Sequence, residues 1–264
     1  MALKQHFDDK VRFEQQVDNT RSYVVPFIEQ TKAIGKGTNV LEIGCGEGGV
    51  LKPFMEKGCY CVGVDLDAFR IELANEFFEE EVSAQKAAFL YKNVYDADFL
   101  EKYSGFFDLI VLKDTIEHIP DQEKFIPYIT KLLKPGGQIF FGFPPWYMPF
   151  GGHQQVCRNK VASMLPYYHI LPRPIYKAFL KMVGEPESII KDLMDVVDTQ
   201  ITIERFERII NHNNLKVVAK QHYLINPIYR YKFGLQPRKQ IGLISAIPYV
   251  RDFLTTCVYY TISI

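Results

Sequence analysis

Residues 40–49 read VLEIGCGEGG, an apolar run that breaks into a glycine-rich turn, and this stretch restricts the fold more than any other. Val40, Leu41 and Ile43 fit a buried strand. Gly44, Gly46 and Gly48 allow a tight turn and a close backbone approach to a ligand. Val50, Leu51, Phe54 and Met55 follow at helical spacing, so the turn is expected to feed a helix N-terminus, which suits a polar cofactor. A second run, VGVDLD at 62–67, ends in Asp65, nineteen positions after Gly46. An acidic side chain at that point of a βαβ unit accepts hydrogen bonds from both hydroxyls of a ribose. The two runs together predict a nucleoside-binding crevice.

The rest of the first half alternates regularly. Strands are expected at 39–44, 59–65, 87–92, 107–113 and 137–143, with helices at 48–57, 67–81, 96–103 and 121–134 between them. Such alternation means a parallel sheet with right-handed crossovers. The run LIVL at 109–112 is apolar throughout, as a strand covered on both faces should be. Ahead of the core, spaced apolar positions (Phe7, Val11, Val17, Val24, Val25 and Ile28) predict one or two amphipathic helices over 1–35.

The alternation breaks at Pro144. Residues 144–200 hold seven prolines, with helical stretches expected near 158–165, 174–183 and 186–195. This insertion follows the carboxyl end of a strand, where open α/β sheets bind ligands, and so reads as a lid over an acceptor pocket. The expected organisation is N-terminal helices over 1–35, a cofactor-binding core over 36–143, the lid over 144–200, and a last helix with terminal strands over 201–264.

The form E-x-G-C-G-x-G, with Glu42 before the turn, resembles motif I of the class I S-adenosylmethionine-dependent methyltransferases. FFDLIVLKDTIEHIPD (106–121) is similar to that family's fourth strand and following loop, and LLKPGGQIFF (132–141) to its turn and fifth strand. NNLKVVAKQHYLI (213–225) and CVYYTISI (257–264) resemble its terminal antiparallel pair. The resemblance implies an α/β, Rossmann-like doubly wound sheet, seven-stranded and mostly parallel, its last strand antiparallel. It also implies S-adenosyl-L-methionine as cofactor. Carried over by position, Gly44, Cys45 and Gly46 would line the methionine portion, and Glu42 would organise the turn near the cofactor ammonium. Asp65 would accept the ribose hydroxyls and Leu66 would cover one adenine face. Asn93 would accept from the adenine amine, the Val94 N–H would answer a ring nitrogen, and Lys113 and Asp114 would approach the amino-acid part through backbone groups.

The D-T-I-E-H run at 114–118 carries the acceptor chemistry. On a helical turn Asp114, Glu117 and His118 would share a face. The pattern resembles the E-x-x-E-H of ubiquinone-biosynthesis O-methyltransferases and of small-RNA 2′-O-methyltransferases, the latter using a further His with a metal. His153, in PPWYMPFGGHQQ (144–155), would be that ligand, so Asp114, Glu117, His118 and His153 are the metal candidates, although the reading assigns no metal. Without one, His118 and His153 are the candidate catalytic bases. Trp146, Tyr147 and Met148 are expected at the mouth of the acceptor pocket. In NPIYRYKFGLQPRKQ (226–240) aromatics interleave with cations, which suits bases and phosphates, an anionic lipid, or simply a half-buried strand.

Composition narrows the function. The formal net charge is zero, which disfavours a polynucleotide held through its phosphates. The five cysteines (Cys45, Cys59, Cys61, Cys157 and Cys257) read as reduced core thiols, and no apolar run is long enough to span a bilayer, so a cytoplasmic protein is expected. The sequence therefore predicts an S-adenosylmethionine-dependent methyltransferase acting at oxygen on a small-molecule acceptor. The alternatives are a metal-assisted RNA 2′-O-methyltransferase and a non-catalytic cofactor-binding scaffold; the D-x-x-E-H loop and strand order disfavour a nucleotide-dependent oxidoreductase.

Overall fold

A computed structural model describes residues 8–264, so Phe7 lies outside the described residues. Among these residues eight strands form one sheet: β1 (Asn39–Ile43), β2 (Tyr60–Asp65), β3 (Ala87–Tyr91), β4 (Phe107–Lys113), β5 (Leu133–Phe143), β6 (Lys216–Ile225), β7 (Arg238–Lys239) and β8 (Cys257–Ser263). Their order is β3-β2-β1-β4-β5-β8-β6-β7. The first five run parallel, and β8 inserts antiparallel between β5 and β6. The seven strands expected from the sequence are therefore joined by an eighth, the two-residue edge strand β7, paired to β6. The chain order reverses between β1 and β4, and the carboxyl ends of these neighbours open the crevice in which such sheets bind ligands.

The central strands β1 and β4 are apolar on both faces because both are covered. Leu41, Ile43, Ile110 and Leu112 point into one core with Phe141, Phe206 and Ile209, while Val40, Leu109 and Val111 point into another with Phe54, Phe78 and Ile28. The helix Asp9–Asn19 continues through a π turn into Val25–Ile28, and Val24, Val25 and Ile28 are buried in the second core. Val11, by contrast, lies on the exposed side. Arg12 of this first helix pairs with Glu47, whose side chain is fully buried in the glycine turn.

Three local expectations change. The helix after the glycine turn begins only at Lys52 and ends at Glu56. Gly48 (φ 81°) is left-handed and Pro53 sits in the first turn of the helix, so residues 48–51 form a turn, closed by Leu51 N–H to Gly48 O at 3.0 Å. β5 starts at Leu133 rather than 137, across a register shift opposite Phe107 and Leu109. Most of the 226–240 run is not a half-buried strand: Tyr229–Phe233 is a short helix, and only Arg238–Lys239 pairs as strand β7. Asn226 starts it by accepting the Ile228 N–H at 3.2 Å, and Gly234 (φ 70°) ends it, so Tyr229, Tyr231, Phe233, Arg230 and Lys232 spread around a helix.

Residues 144–200 carry a small core of their own, in which Trp146, Cys157, Tyr168, Tyr176 and Leu193 meet. Asn159 caps the helix Lys160–Met164, accepting from Val161 and Ala162 N–H. The segment continues through the helices Arg173–Met182 and Glu187–Thr199. Thr199 Oγ1 donates to the Glu117 carbonyl, tying the end of this segment to the loop after β4.

Candidate functional site

The glycine turn is held by the neighbouring strand. Gly44 and Cys45 N–H donate to Val64 O at 2.8 and 3.1 Å, and Gly46 N–H donates to Asp65 Oδ2 at 2.8 Å. Gly44 sits at φ 74°, and a Cβ there would lie 2.6 Å from Thr115 Cγ2, so a side chain would close the crevice. Asp65 Oδ1 accepts the Asp67 N–H at 2.9 Å, and Asp67 in turn caps the helix Ala68–Phe77. The carboxylate is therefore fixed from both sides and keeps unused lone pairs.

A cavity of about 480 Å³ opens at this crevice, lined by Gly44, Asp65, Leu66, Asn93, Val94 and Asp114 among the expected residues. Its walls also include Arg70, Tyr95, Thr115, His118 and Phe125, of which only His118 was singled out from the sequence. Leu66 is exposed at the rim. Asn93 uses its side-chain oxygen to accept the Tyr95 N–H at 3.0 Å, forming a turn as it lines the cavity. Glu42, Cys45, Gly46 and Lys113 stand behind the lining. Glu42 is buried with one carboxylate oxygen unpartnered, and burial followed by the nearby Asp65 charge pushes its carboxyl well above the usual range.

The loop after β4 differs from the expected helical turn. Asp114 takes a left-handed backbone (φ 53°) and donates its N–H to Gly142 O at 2.7 Å, so that N–H is already engaged. The 3₁₀ turn Ile116–His118 begins only after it, so Asp114, Glu117 and His118 share no single helix face. The Asp114 carboxylate pairs with Lys113. Burial alone would raise the Asp114 carboxyl, but the Lys113 ammonium outweighs it and holds the carboxyl below its ordinary value.

Glu117, His118 and His153 do converge, with one ligand atom from each lying within 4.8 Å of the others. The two imidazoles meet edge-on at 4.9 Å, and His153 Nε2 lies 3.8 Å from Glu117 Oε1. Both Glu117 carboxylate oxygens are buried without a hydrogen-bond partner. Burial, reinforced by Asp114, lifts the Glu117 carboxyl well above its ordinary range. Burial lowers the His118 imidazole, and burial with the neighbouring His118 drives His153 down to about 3.

His118 also borders a second cavity of about 600 Å³, with His153, Arg12, Arg70, Arg158, Asp192 and Asp195 around it. This cavity lies between the glycine-turn side of the core and the helix Glu187–Thr199. Trp146 and Tyr147 do not reach it: Trp146 packs on His169 at 4.7 Å, and Tyr147 stacks on Phe253 at 5.1 Å. Met148 faces a third, apolar cavity. Arg12 and Arg70 were missed from the sequence because nothing local distinguishes them; the packing of the first helix on the glycine turn brings Arg12 in.

A family model described as a methyltransferase domain matches residues 16–160. The ubiquinone biosynthesis O-methyltransferase of Coxiella burnetii is 33% identical over 115 residues, 44% of this chain and 47% of that protein. The chloroplastic tocopherol O-methyltransferase of Arabidopsis thaliana is 33% identical over 112 residues, 42% of this chain and 30% of that one. The match thus spans about half the length of the Coxiella relative and less of the plant enzyme. Among solved structures, geranyl diphosphate C-methyltransferase from Streptomyces coelicolor A3(2), in complex with Mg²⁺, geranyl diphosphate and S-adenosyl-L-homocysteine, aligns with a TM-score of 0.58 at 13% identity. That alignment covers 92% of this chain and 78% of the other, a likeness of fold.

Proposed function

The chain belongs to the methyltransferase-domain family, and on that premise we propose that it moves a methyl group from S-adenosylmethionine to an oxygen of a small-molecule acceptor. One observation carries the reading: His118 borders both the cavity at the glycine turn and the second cavity beyond it. A side chain at that junction reaches an acceptor and the methyl donor together.

The residues of the first cavity fit the cofactor. Asp65 offers its free lone pairs to the ribose hydroxyls, and Leu66 and Asn93 border the adenine. The absence of a side chain at Gly44 leaves room for the methionine portion. When bound, S-adenosylmethionine supplies an electrophilic methyl carbon on a positively charged sulfur. The protein's share is to hold the acceptor oxygen in line with that carbon and keep water out. His118, neutral because burial disfavours its charged form, takes the acceptor hydroxyl proton as the oxygen attacks, and His153 beside it orients the acceptor. The segment 144–200 acts as a lid, closing the acceptor cavity with Asp192 and Asp195.

The unpartnered Glu117 oxygens favour a second reading, in which Glu117, His118 and His153 hold a divalent cation. A cation there would lower the pKa of the acceptor hydroxyl, leaving Asp114 to Lys113. Calorimetric titration of metal-stripped protein with S-adenosylhomocysteine, repeated with magnesium or manganese, separates the two readings. Saturable cofactor binding without an ion supports the first. Stoichiometric ion binding that disappears in His153→Ala supports the second, and no cofactor binding by folded protein defeats both.

A further inference from the structure

Two opposite sets of charge line the second cavity without meeting. Arg12 and Arg70 come from the core, and Asp192 and Asp195 from the helix Glu187–Thr199. Spaced i, i+3, the two aspartates share one helix face with Ile189 and Val196, which line the same cavity. Among the described residues neither aspartate takes part in an ion pair, although Asp198 on the same helix pairs with Arg173 at 2.9 Å. After burial and Asp114, the next influences on the His118 imidazole are Asp192 and Asp195, favouring its charged form, and Arg70, opposing it. All three therefore stand close to the junction of the two cavities.

The two arginines are not equivalent. Arg12 is held by Asp9 and by the buried Glu47. Arg70 meets Asp67 through Nε alone, at 3.3 Å, and among the described residues no acceptor meets its Nη1 or Nη2. Nη1 lies over the glycine turn, 3.5 Å from where a Cβ on Gly46 would stand. Like His118, Arg70 borders both cavities. Its two unused donor nitrogens and the two unpaired carboxylates attract across the second cavity, but weakly while water fills the gap. A ligand in the first cavity takes up the space on one side of the guanidinium and leaves Asp192 and Asp195 as its partners on the other. Expelling water from the gap then strengthens the attraction.

We propose that Arg70 is a positioning residue that couples the two cavities: with cofactor in the first, its guanidinium pairs with Asp192 and Asp195 and draws the helix Glu187–Thr199 over the acceptor. Thr199, tied to the Glu117 carbonyl, fixes the end about which that helix moves. The inference rests on the methyltransferase reading and adds to it the contact by which the cofactor closes the acceptor site. Linkage makes the coupling reciprocal, so closure tightens cofactor binding by the same factor. Asp192 and Asp195 therefore influence cofactor affinity although neither lines the cofactor cavity.

The test is calorimetric titration of the full chain with S-adenosylhomocysteine. Asp192→Lys/Asp195→Lys and Arg70→Glu should each weaken binding by about fivefold. Combining the three substitutions restores opposite charges with the sides exchanged, and should bring affinity back to within about twofold of wild type. Asp192→Asn/Asp195→Asn, nearly isosteric, should show a smaller loss in the same direction, so a misfolded lysine variant does not decide the matter. Arg158 also borders the cavity, but from the same segment as the aspartates, so their effect should persist in an Arg158→Gln background. Affinity indifferent to the aspartate substitutions overturns the proposal. So does an Arg70→Glu loss that the two lysines fail to repair, which would assign Arg70 to the cofactor directly. Disappearance of the aspartate effect in Arg158→Gln overturns it too, by giving the aspartates to Arg158. Folded wild type that binds no S-adenosylhomocysteine defeats the methyltransferase reading and the coupling together, whereas normal binding without these couplings defeats the coupling alone.

Discussion

The Asp65 carboxylate accepts the Gly46 backbone N–H at 2.8 Å, joining the end of β2 to the glycine turn after β1. The same carboxylate both braces the turn and faces the cavity. Asp65→Ala should therefore weaken S-adenosylhomocysteine binding by roughly 10- to 100-fold, the loss of one or more hydrogen bonds to a charged group. Asp65→Asn, which keeps an acceptor oxygen, should lose less. Calorimetry on both variants checks the order.

His118→Ala should lower kcat by about 10²- to 10⁴-fold while leaving cofactor affinity near wild type. Burial depresses the His118 pKa, so the neutral base persists to lower pH than an ordinary histidine. The rate should rise with pH and level off, with its inflection below 6.5. A pH profile of kcat whose inflection lies above that value would remove His118 as the proton acceptor.

Arg12→Ala should destabilise the protein by about 3 kcal/mol, because Glu47 would remain a buried charge without its partner. Arg12→Ala/Glu47→Gln should recover part of the loss, since the stranded charge is gone. Denaturant melts of the single and double variants measure the recovery, and additivity would mean that the pair is not coupled.

Stability should fall as pH drops from about 6.5 to about 4, with the buried histidines as the cause. His169 and His222 each fall from 6.5 to about 4, burial being the largest cause in both. The unfolded chain takes up protons first, so the stabilisation is complete above the unfolded value and lost through the folded one. The shift corresponds to on the order of 3 kcal/mol per histidine. His169 accepts at Nδ1 from Gln154 and donates from Nε2 to the Trp146 carbonyl, so a second ring proton would face the amide N–H. His169→Gln should flatten the dependence of Tm on pH. Asp252 acts in the opposite direction: burial, then Glu204, lifts its carboxyl to about 8, and its contribution fades as pH rises toward that value.

Gly151→Ala should unsettle the 144–184 segment while sparing the sheet. A Cβ there would overlap the backbone carbonyl of Trp146, which cannot move as a side-chain tip can. Limited proteolysis should cut the variant within that segment, and a protection pattern like the wild type's would count against the overlap.

The sequence alone determined the parallel core, the position of the glycine turn and the place of Asp65 at the end of the next strand. Each rests on short-range patterning: apolar runs of strand length, glycines where a side chain cannot fit, and an acidic residue one βαβ unit later. Even there, local geometry departed from the pattern where left-handed residues intervened, as at Gly48 and Asp114, because spacing does not report backbone angles. Only the tertiary structure decided that Arg12 reaches Glu47, that His153 meets His118 and Glu117, and that Asp114 turns to Lys113 instead. It also joined Met164 to Phe233 and Leu235 across a gap in sequence that no periodicity spans. These contacts form where elements from distant parts of the chain cover the same end of the sheet, and their partners are chosen by packing and charge burial in three dimensions.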